Sequence, residues 1–434
     1  LSISAATGLA LVPLLTGPFG LTFGEAVVMS MIHAFLISSA WMMFGEPYAP
    51  GWVTPALPFV ITFVVSDSFV TPAEKFQAMT ALSLDFALIL VVLGVTGLGG
   101  KLVRIVPDVL KGGIIMGAAL AAFLQIFDLE ATNNVMVTQN FAATTALALS
   151  LILAFSEPLH RLQAKYPMIS RVVSLGLLPG FIVAGLVGYF TGELHYDIQW
   201  GILDPPVMDL WNKVSPFVIG WPSLGVFLEC LPLALITYII LFGDMVTGEE
   251  ILKEAAPERP DEPLEINNTR SHLSLGIRNF LMGIFAPFFP TQGALWTGIH
   301  VVVVQRWRRG PKVMGSLYDG IASYYVFNIP LLMLILPTLT LLKPLMGIAL
   351  LMTLALTGFA CTSVALDMAK TAAQRGVLLL TAVCLCLFEP WQGLLIGVLA
   401  TVLMVDIKQP SAPKETDKQS VSEDAPEGTL LAEK

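Results

Sequence analysis

Apolar runs close to membrane length recur along the whole chain, separated by short polar connections. A bilayer core takes about 20 residues of helix, and fewer where a span is broken or re-entrant. Fourteen such segments are predicted, near 2–15, 25–44, 53–66, 77–97, 109–127, 139–156, 172–190, 223–245, 273–287, 291–305, 314–336, 345–363, 376–388 and 391–405. Two of them do not read as plain helices. Segment 3 carries Pro55 and Pro58; segment 10 and its approach carry Pro287, Pro290, Gly293 and Gly298. Proline lacks an amide donor and clashes with the preceding helical turn. Hydrocarbon offers no water to the peptide groups a break sets free, so a break persists only where protein or a wet cavity covers it. Segments 3 and 10 are therefore predicted to be part extended and part helix.

The breaks fall at corresponding places in two halves. The long connection 191–222, acidic and rich in tryptophan (Trp200, Trp211, Trp221), reads as an extracytoplasmic interfacial linker. Seven segments lie on each side of it. Seven is odd, so the second half runs inverted relative to the first. Segment 5, VPDVLKGGIIMGAALAAF (106–123), and segment 12, LLKPLMGIALLMTLALTGF (341–359), share a Pro and Lys at the entry and then a Gly-containing apolar run. The fold class predicted is an all-α polytopic membrane protein of fourteen segments in two inverted repeats. Paired interruptions of this kind point to a binding site near the midplane, as in secondary transporters.

Charge orients the chain. With both termini in the cytoplasm, Lys101, Arg104, Arg161, Lys165, Arg171, Lys253, Arg259, Arg270, Arg306, Arg308, Arg309, Lys312, Lys370 and Arg375 fall inside, and only Lys75, Lys213 and Lys343 outside. That bias follows the positive-inside rule for a multi-pass protein of the cell inner (plasma) membrane. Only 13% of residues are charged and 55% are hydrophobic, with mean hydropathy +0.77. A soluble domain averages about 25% charged. The net charge of −9 resides largely in loops and in the polar tail 406–434, which reads as disordered. No basic patch suggests nucleic acid. The cysteines Cys230, Cys361, Cys384 and Cys386 sit in apolar runs without metal-ligand spacing and read as inert buried thiols.

Candidate chemistry is sparse. Asp244, in segment 8, is an intramembrane carboxylate, costly unless functional. Facing a cavity, it can take up a proton or offer hard oxygen to Na⁺; beside Glu249 and Glu250 it can also be a hydrated helix end. The helix starts of segments 3 and 10 expose amides that favour anions or carbonyl oxygens. Thr54, Ala56 and Leu57 are expected to line one side, and Thr291, Gln292, Gly293 and Ala294 the other. Trp296 either stacks on a flat ring or fills the volume a ring needs. Asp85 and Asp319, in equivalent helices of the two halves, and the intraspan His33 and His300 are secondary candidates. No Lys or Arg is expected at the pocket, so an anion would depend on helix N-termini alone. The basic run 306–312 reads as a topology anchor. An enzyme would want clustered acids at helix ends; DMVTGEE (244–250) stands without a partner cluster, so the chain reads as a transporter and not an enzyme.

Four stretches resemble the seven-plus-seven inverted-repeat transporters, both the nucleobase–cation symporters of the uracil permease type and the SulP anion transporters. ATGLALVPLLTG (6–17) is similar to the first helix of both. KLVRIVPDVLKGGIIMGAALA (101–121) and PLALITYIILFGDMVTGEEIL (232–252) resemble the fifth and eighth helices of the nucleobase family. FFPTQGALWTGIHV (288–301) is similar to the SulP tenth segment. The resemblance implies a core (transport) domain, 1–97 and 223–336, moving against a gate domain, 98–190 and 337–405, within a homodimer formed through the gate. It departs from the nucleobase pattern at both helix-8 and segment-10 glutamates: Ile240 stands at the first, with Asp244 one turn later, and Trp296 or Thr297 at the second. The polar tail 406–434 is not expected to form the folded C-terminal domain usual in SulP proteins, and Leu14 stands where they have the Gln that follows their first-helix proline. The expected activity is elevator-type secondary transport of a small anion or carboxylate coupled to H⁺ or Na⁺. The alternatives are uptake of a uracil- or xanthine-like base and an uncoupled channel-like path. No cofactor is expected beyond the coupling ion; the partners are the substrate and the lipid bilayer.

Overall fold

The computed structural model describes residues 8–128, 130, 134–163, 165–174, 178–318 and 333–405. Asp319, most of predicted segment 11 and the tail 406–434 lie outside the described residues. The principal helices are α1 (Phe23–Met42), α2 (Leu57–Val64), α3 (Pro72–Thr96), α4 (Asp108–Ile126), α5 (Asn140–Phe155), α6 (Leu178–Thr191), α7 (Val207–Val214), α8 (Leu224–Ala255), α9 (Asn268–Phe285), α10 (Thr297–Arg308), α11 (Met346–Asp367), α12 (Ala372–Leu387) and α13 (Pro390–Met404). Ile202 and Ile335 form an isolated antiparallel bridge.

By length and composition, α1, α3, α4, α8 and the stretch from Leu336 to Asp367 can each cross a membrane, and two bent helix pairs raise the number to seven. The sequence-based count is higher because several predicted segments are short helices here: Val12–Thr16, Thr54–Val64, α10, α12 and α13. Segments 3 and 10 are short for the reason expected: each spends part of its length in extended backbone.

Helix starts are set by local chemistry. Thr22 and Glu25 form a capping box at α1, and Thr71 and Glu74 form another at α3, where Pro72 supplies the preset first turn. Ser223 caps α8, Asn267 caps α9, and Thr371 with Gln374 caps α12. Each satisfies amides that the first turn leaves without intrahelical acceptors. The α3 helix stops at Gly97, whose φ of 66° is a left-handed conformation that glycine adopts without penalty.

Buried hydrophobics fall into one large and one smaller main cluster. The large one draws on α1, α2, α3, α8, α9 and the segment 288–295, and takes in Ile114, Ala118 and Ala121 of α4, Met346 of α11 and Leu385 of α12. The smaller draws on α4, α5, α6 and α11. The pair α3–α9 packs along its length, as do α4 with α11 and α12, and α5 with α6. Large apolar side chains point outward on α3, α6 and α13; Phe190 is 81% and Leu403 82% exposed. Such faces suit lipid, not water.

The predicted linker is anchored at both ends of its course. Leu203 N–H donates to Leu334 O (2.7 Å) and Leu336 N–H to Gly201 O (3.1 Å). Lys213 of α7 meets the buried Glu25 carboxylate at 2.8 Å. Trp211, Phe217 and Phe285 pack together beside it, with Trp221 edge-on to Phe217. At the opposite end of the bundle, Arg259 lies over the Trp307 ring, donates to Trp307 O at 2.6 Å and forks onto Asp261. That guanidinium holds the Asp261 carboxyl below the usual range.

Candidate substrate site

The two interrupted spans meet. Residues 49–53 and 290–296 run antiparallel, joined by Val53 N–H to Pro290 O (3.0 Å), Gly293 N–H to Gly51 O (2.7 Å) and Trp296 N–H to Ala49 O (2.7 Å). Each stretch then turns into helix, at Thr54 in a 3-10 turn leading into α2 and at Thr297 for α10. Gly293 is required by the close approach. A Cβ there would stand 2.8 Å from Trp52 C, 2.9 Å from Gly51 O and 2.9 Å from Val53 N, all backbone atoms.

A polar seam under the crossing holds it extended. Arg278 of α9, 1% exposed, donates from Nη2 to Gly293 O (3.1 Å) and from Nη1 to Gln292 Oε1 (3.5 Å). Asn279 Nδ2 donates to Gln292 O (3.0 Å) and Leu275 O (2.9 Å), and Gln292 Nε2 to His33 O (3.3 Å). His33 Nε2 faces Ala286 O at 2.7 Å, so that nitrogen carries the proton and Nδ1 accepts from the Thr291 hydroxyl at 3.2 Å. Glu46, 9% exposed in the turn after α1, accepts from Ser271 Oγ at 2.6 Å. Burial pushes its carboxyl up, while the Ser271 bond and the charges of Arg278 and Arg270 oppose the shift.

Beside the crossing lies a cavity of about 930 Å³. Thr54, Trp52, Trp296 and Thr297 contribute from the crossing; Ile240, Phe242 and Asp244 from α8; His33 and Ile37 from α1. The far wall is Ile115 of α4 with Thr353, Leu356 and Ala360 of α11, and Arg104 and Lys111 stand at one end. Asp244 is half-buried and, among the described residues, its carboxylate has no hydrogen-bond or ion-pair partner. Lys111 is paired with Asp108 at 2.9 Å, and Arg104 Nε donates to Gly100 O at 3.0 Å.

The cavity takes in Thr54, Trp296 and Asp244 of the expected residues, and the secondary candidate His33. Ala56, Leu57, Thr291, Gln292, Gly293 and Ala294 do not line it; they are buried behind the wall. Thr291 and Gln292 are held back by hydrogen bonds to His33, Arg278 and Asn279, Gly293 packs on the backbone of 51–53, and Ala56, Leu57 and Ala294 belong to the large buried cluster. His300 is likewise a scaffold: Ala49 N–H donates to its Nδ1 (3.3 Å), and its Nε2 donates to Gly248 O (3.3 Å). Asp85 lies away from the cavity, within electrostatic reach of Cys230, and its Oδ2 has no hydrogen-bond partner.

The expectation that no cation stands at the pocket needs correcting. Arg104 and Lys111, read as loop charges, reach the cavity, and Arg278 lies directly under the crossing. Arg278 had a sequence signal. An arginine inside an apolar span is a functional candidate by default.

A second cavity of about 710 Å³ lies toward the C-terminal ends of α2 and α4, with Thr62, Gln125, Glu389 and Gln392 among its lining. Between the two cavities α2 and α4 touch. Gln125 Nε2 of α4 donates to Pro58 O of α2 at 2.8 Å, and the space over Gly117 is taken by the Phe59 ring.

Crossed, interrupted spans opening on a cavity, in a helical body with oily outer faces, define a multi-span membrane transporter. The chain belongs to the Permease family (Xan_ur_permease), whose model matches residues 3–293. It is a transporter, not an enzyme. Its fold is similar to the transmembrane domain of a cyanobacterium bicarbonate transporter, BicA, at 14% identity and TM-score 0.53, covering 91% of this chain and 95% of that one. It is also similar to murine Solute Carrier 26 family member A9, an anion transporter in the inward-facing state, at 14% identity and TM-score 0.54; the match covers 93% of this chain and 66% of that one. At such identity the likeness concerns the fold alone. No curated protein sequence matches the chain.

Proposed function

We propose that this chain is an elevator-type secondary transporter for a small anion or carboxylate, coupled to H⁺ or Na⁺ at Asp244. The observation that carries the reading is the crossing itself: two helix starts, at Thr54 and Thr297, reach one cavity that also holds an unpartnered carboxylate. The first-turn amides of α10 have no intrahelical acceptors and carry the positive end of the helix dipole. They supply the pole that attracts an anion. Asp244, placed on the facing helix, takes up the cation whose gradient drives accumulation.

The elevator reading is supported by the asymmetry of the seam. The core and gate halves touch at Gln125–Pro58 and Phe59–Gly117 and part around the 930 Å³ cavity. With Arg104 and Lys111 on the cytoplasmic side, this geometry is inward-facing. Sliding the core past the gate would close that cavity and enlarge the one beside Gln125 and Glu389. Assembly as a homodimer through the gate half, in a plasma membrane with both termini inside, belongs to the same proposal.

Uptake into proteoliposomes under imposed pH and Na⁺ gradients tests this, with labelled bicarbonate, sulfate, acetate, benzoate and uracil. At least one anion is expected to accumulate above its equilibrium level, only when the H⁺ or Na⁺ gradient is directed inward. Anion flux indifferent to both gradients would point to an uncoupled channel-like path; accumulation of uracil alone would replace the anion with a nucleobase.

A further inference from the structure

We infer that the substrate is an amphipathic organic monocarboxylate with an aromatic or comparably apolar body, not an inorganic ion or a dianion. This rests on the anion-transport reading and narrows it. Three features of the cavity converge on it.

The first is the kind of positive pole present. At the crossing it is made of amides and the Thr54 hydroxyl, without a free cationic side chain. Arg278 is directed at Gly293 O and Gln292 on the far side of the extended stretch. Arg104 and Lys111 stand across the cavity on the gate side, engaged with Gly100 O and Asp108. A pole of neutral donors suits one negative charge of carboxylate size.

The second is Asp244. Its carboxylate faces the same cavity without a partner. When ionised it repels a second negative charge placed anywhere in that space, and low-dielectric walls strengthen the repulsion. Sulfate and dicarboxylates meet this penalty; a monoanion held at the amide pole keeps its only charge at the crossing.

The third is the wall. Between the amide pole and the gate the surface is built from Ile37, Trp52, Ile240, Leu356, Ala360 and Trp296. A cavity of about 930 Å³ is far larger than a bare inorganic anion needs, and its size and apolar lining are those of sites for small organic ligands. A hydrated ion leaves such walls wet, whereas an apolar body displaces that water. Trp296 is also the residue preceding the first turn of α10, so a ring bonded directly to a carboxylate at the amides falls beside its indole.

The test measures binding to the full chain in lipid nanodiscs by calorimetry, using benzoate, acetate, bicarbonate, sulfate, succinate and uracil, on the parent protein, Trp296→Ala and Trp296→Phe. Benzoate is expected to bind about tenfold more tightly than acetate and about a hundredfold more tightly than sulfate or succinate. Trp296→Ala should reduce the benzoate-to-acetate ratio to roughly 1–3, and Trp296→Phe should keep most of the ratio. Bicarbonate or sulfate binding more tightly than benzoate would overturn the substrate class and leave anion transport standing. Binding of uracil alone, or of none of the anions, would overturn both. A benzoate preference that survives Trp296→Ala would remove the indole from the assignment; should that variant fail to fold, the parent ligand ranking and Trp296→Phe still decide.

Discussion

Replacing Asp244 with asparagine is expected to abolish gradient-driven accumulation while leaving the bundle folded and substrate exchange intact. The carboxylate borders the 930 Å³ cavity and has no partner among the described residues, so its removal orphans no neighbouring donor. Asparagine matches its shape and resembles its neutral, cation-loaded form. The cost of an ionised carboxylate at this depth is what makes loading with a cation favourable. With that response deleted, uptake against a gradient should fall by about a hundredfold or more, equivalent to about 2.7 kcal/mol of lost coupling. Anion affinity should stay level or rise, because the repelling charge is gone. Accumulation and counterflow assays on the same proteoliposomes separate the two effects. Full accumulation by the variant would take Asp244 out of the mechanism and leave the coupling site elsewhere.

Substituting Gly293 with alanine is expected to disable the site through the backbone. A Cβ at 293 meets three main-chain atoms at 2.8 to 2.9 Å, and main chain has no rotamer in which to step aside. The stretches 49–53 and 290–296 must separate, which strains the Gly293–Gly51 bond at 2.7 Å and the Arg278 bond to Gly293 O. Overpacking of this kind costs about 1–3 kcal/mol in stability. The larger effect falls on binding, since both helix starts are placed by this crossing: anion affinity should drop by at least about tenfold, or 1.4 kcal/mol. Gly225→Ala on α8, where the nearest atom to a new Cβ is Ser223 Oγ at 3.6 Å, is the matched control and should change neither. Normal ligand-induced thermal stabilisation of the Gly293 variant would mean that the crossing does not shape the site.

Much of this was legible in the residues. Pro55, Pro58, Pro287 and Pro290 mark where helix cannot continue, and the membrane forbids leaving such places uncovered. That logic finds the crossing, beside which Thr54 and Trp296 line the cavity. Asp244 was legible as a charge without a reason to be in a span. What stayed hidden was which face of each extended stretch turns inward. Side-chain hydrogen bonds to residues distant in sequence decide it, and apolar patterning does not report them. Thr291 and Gln292 look like ligand contacts by composition, yet they serve His33, Asn279 and Arg278. Arg104 and Lys111 obey the positive-inside rule, which explains them without requiring that they reach the cavity. Arg278 was missed in a span whose boundaries were drawn from the apolar residues around it. The number of segments also exceeds the helices long enough to cross alone, because short and bent helices share the membrane here.

The central claim is that the paired extended stretches and the two helix starts beyond them hold the substrate. Its most direct measurement is the anomalous scattering of bromine in crystals of the whole chain grown with 4-bromobenzoate. The account predicts a bromine peak inside the cavity bounded by Trp52, Trp296 and Ile240, with the carboxylate toward Thr54 and Thr297. A continuous helix through 49–66 or through 286–308, or no bromine peak in that cavity, would contradict it.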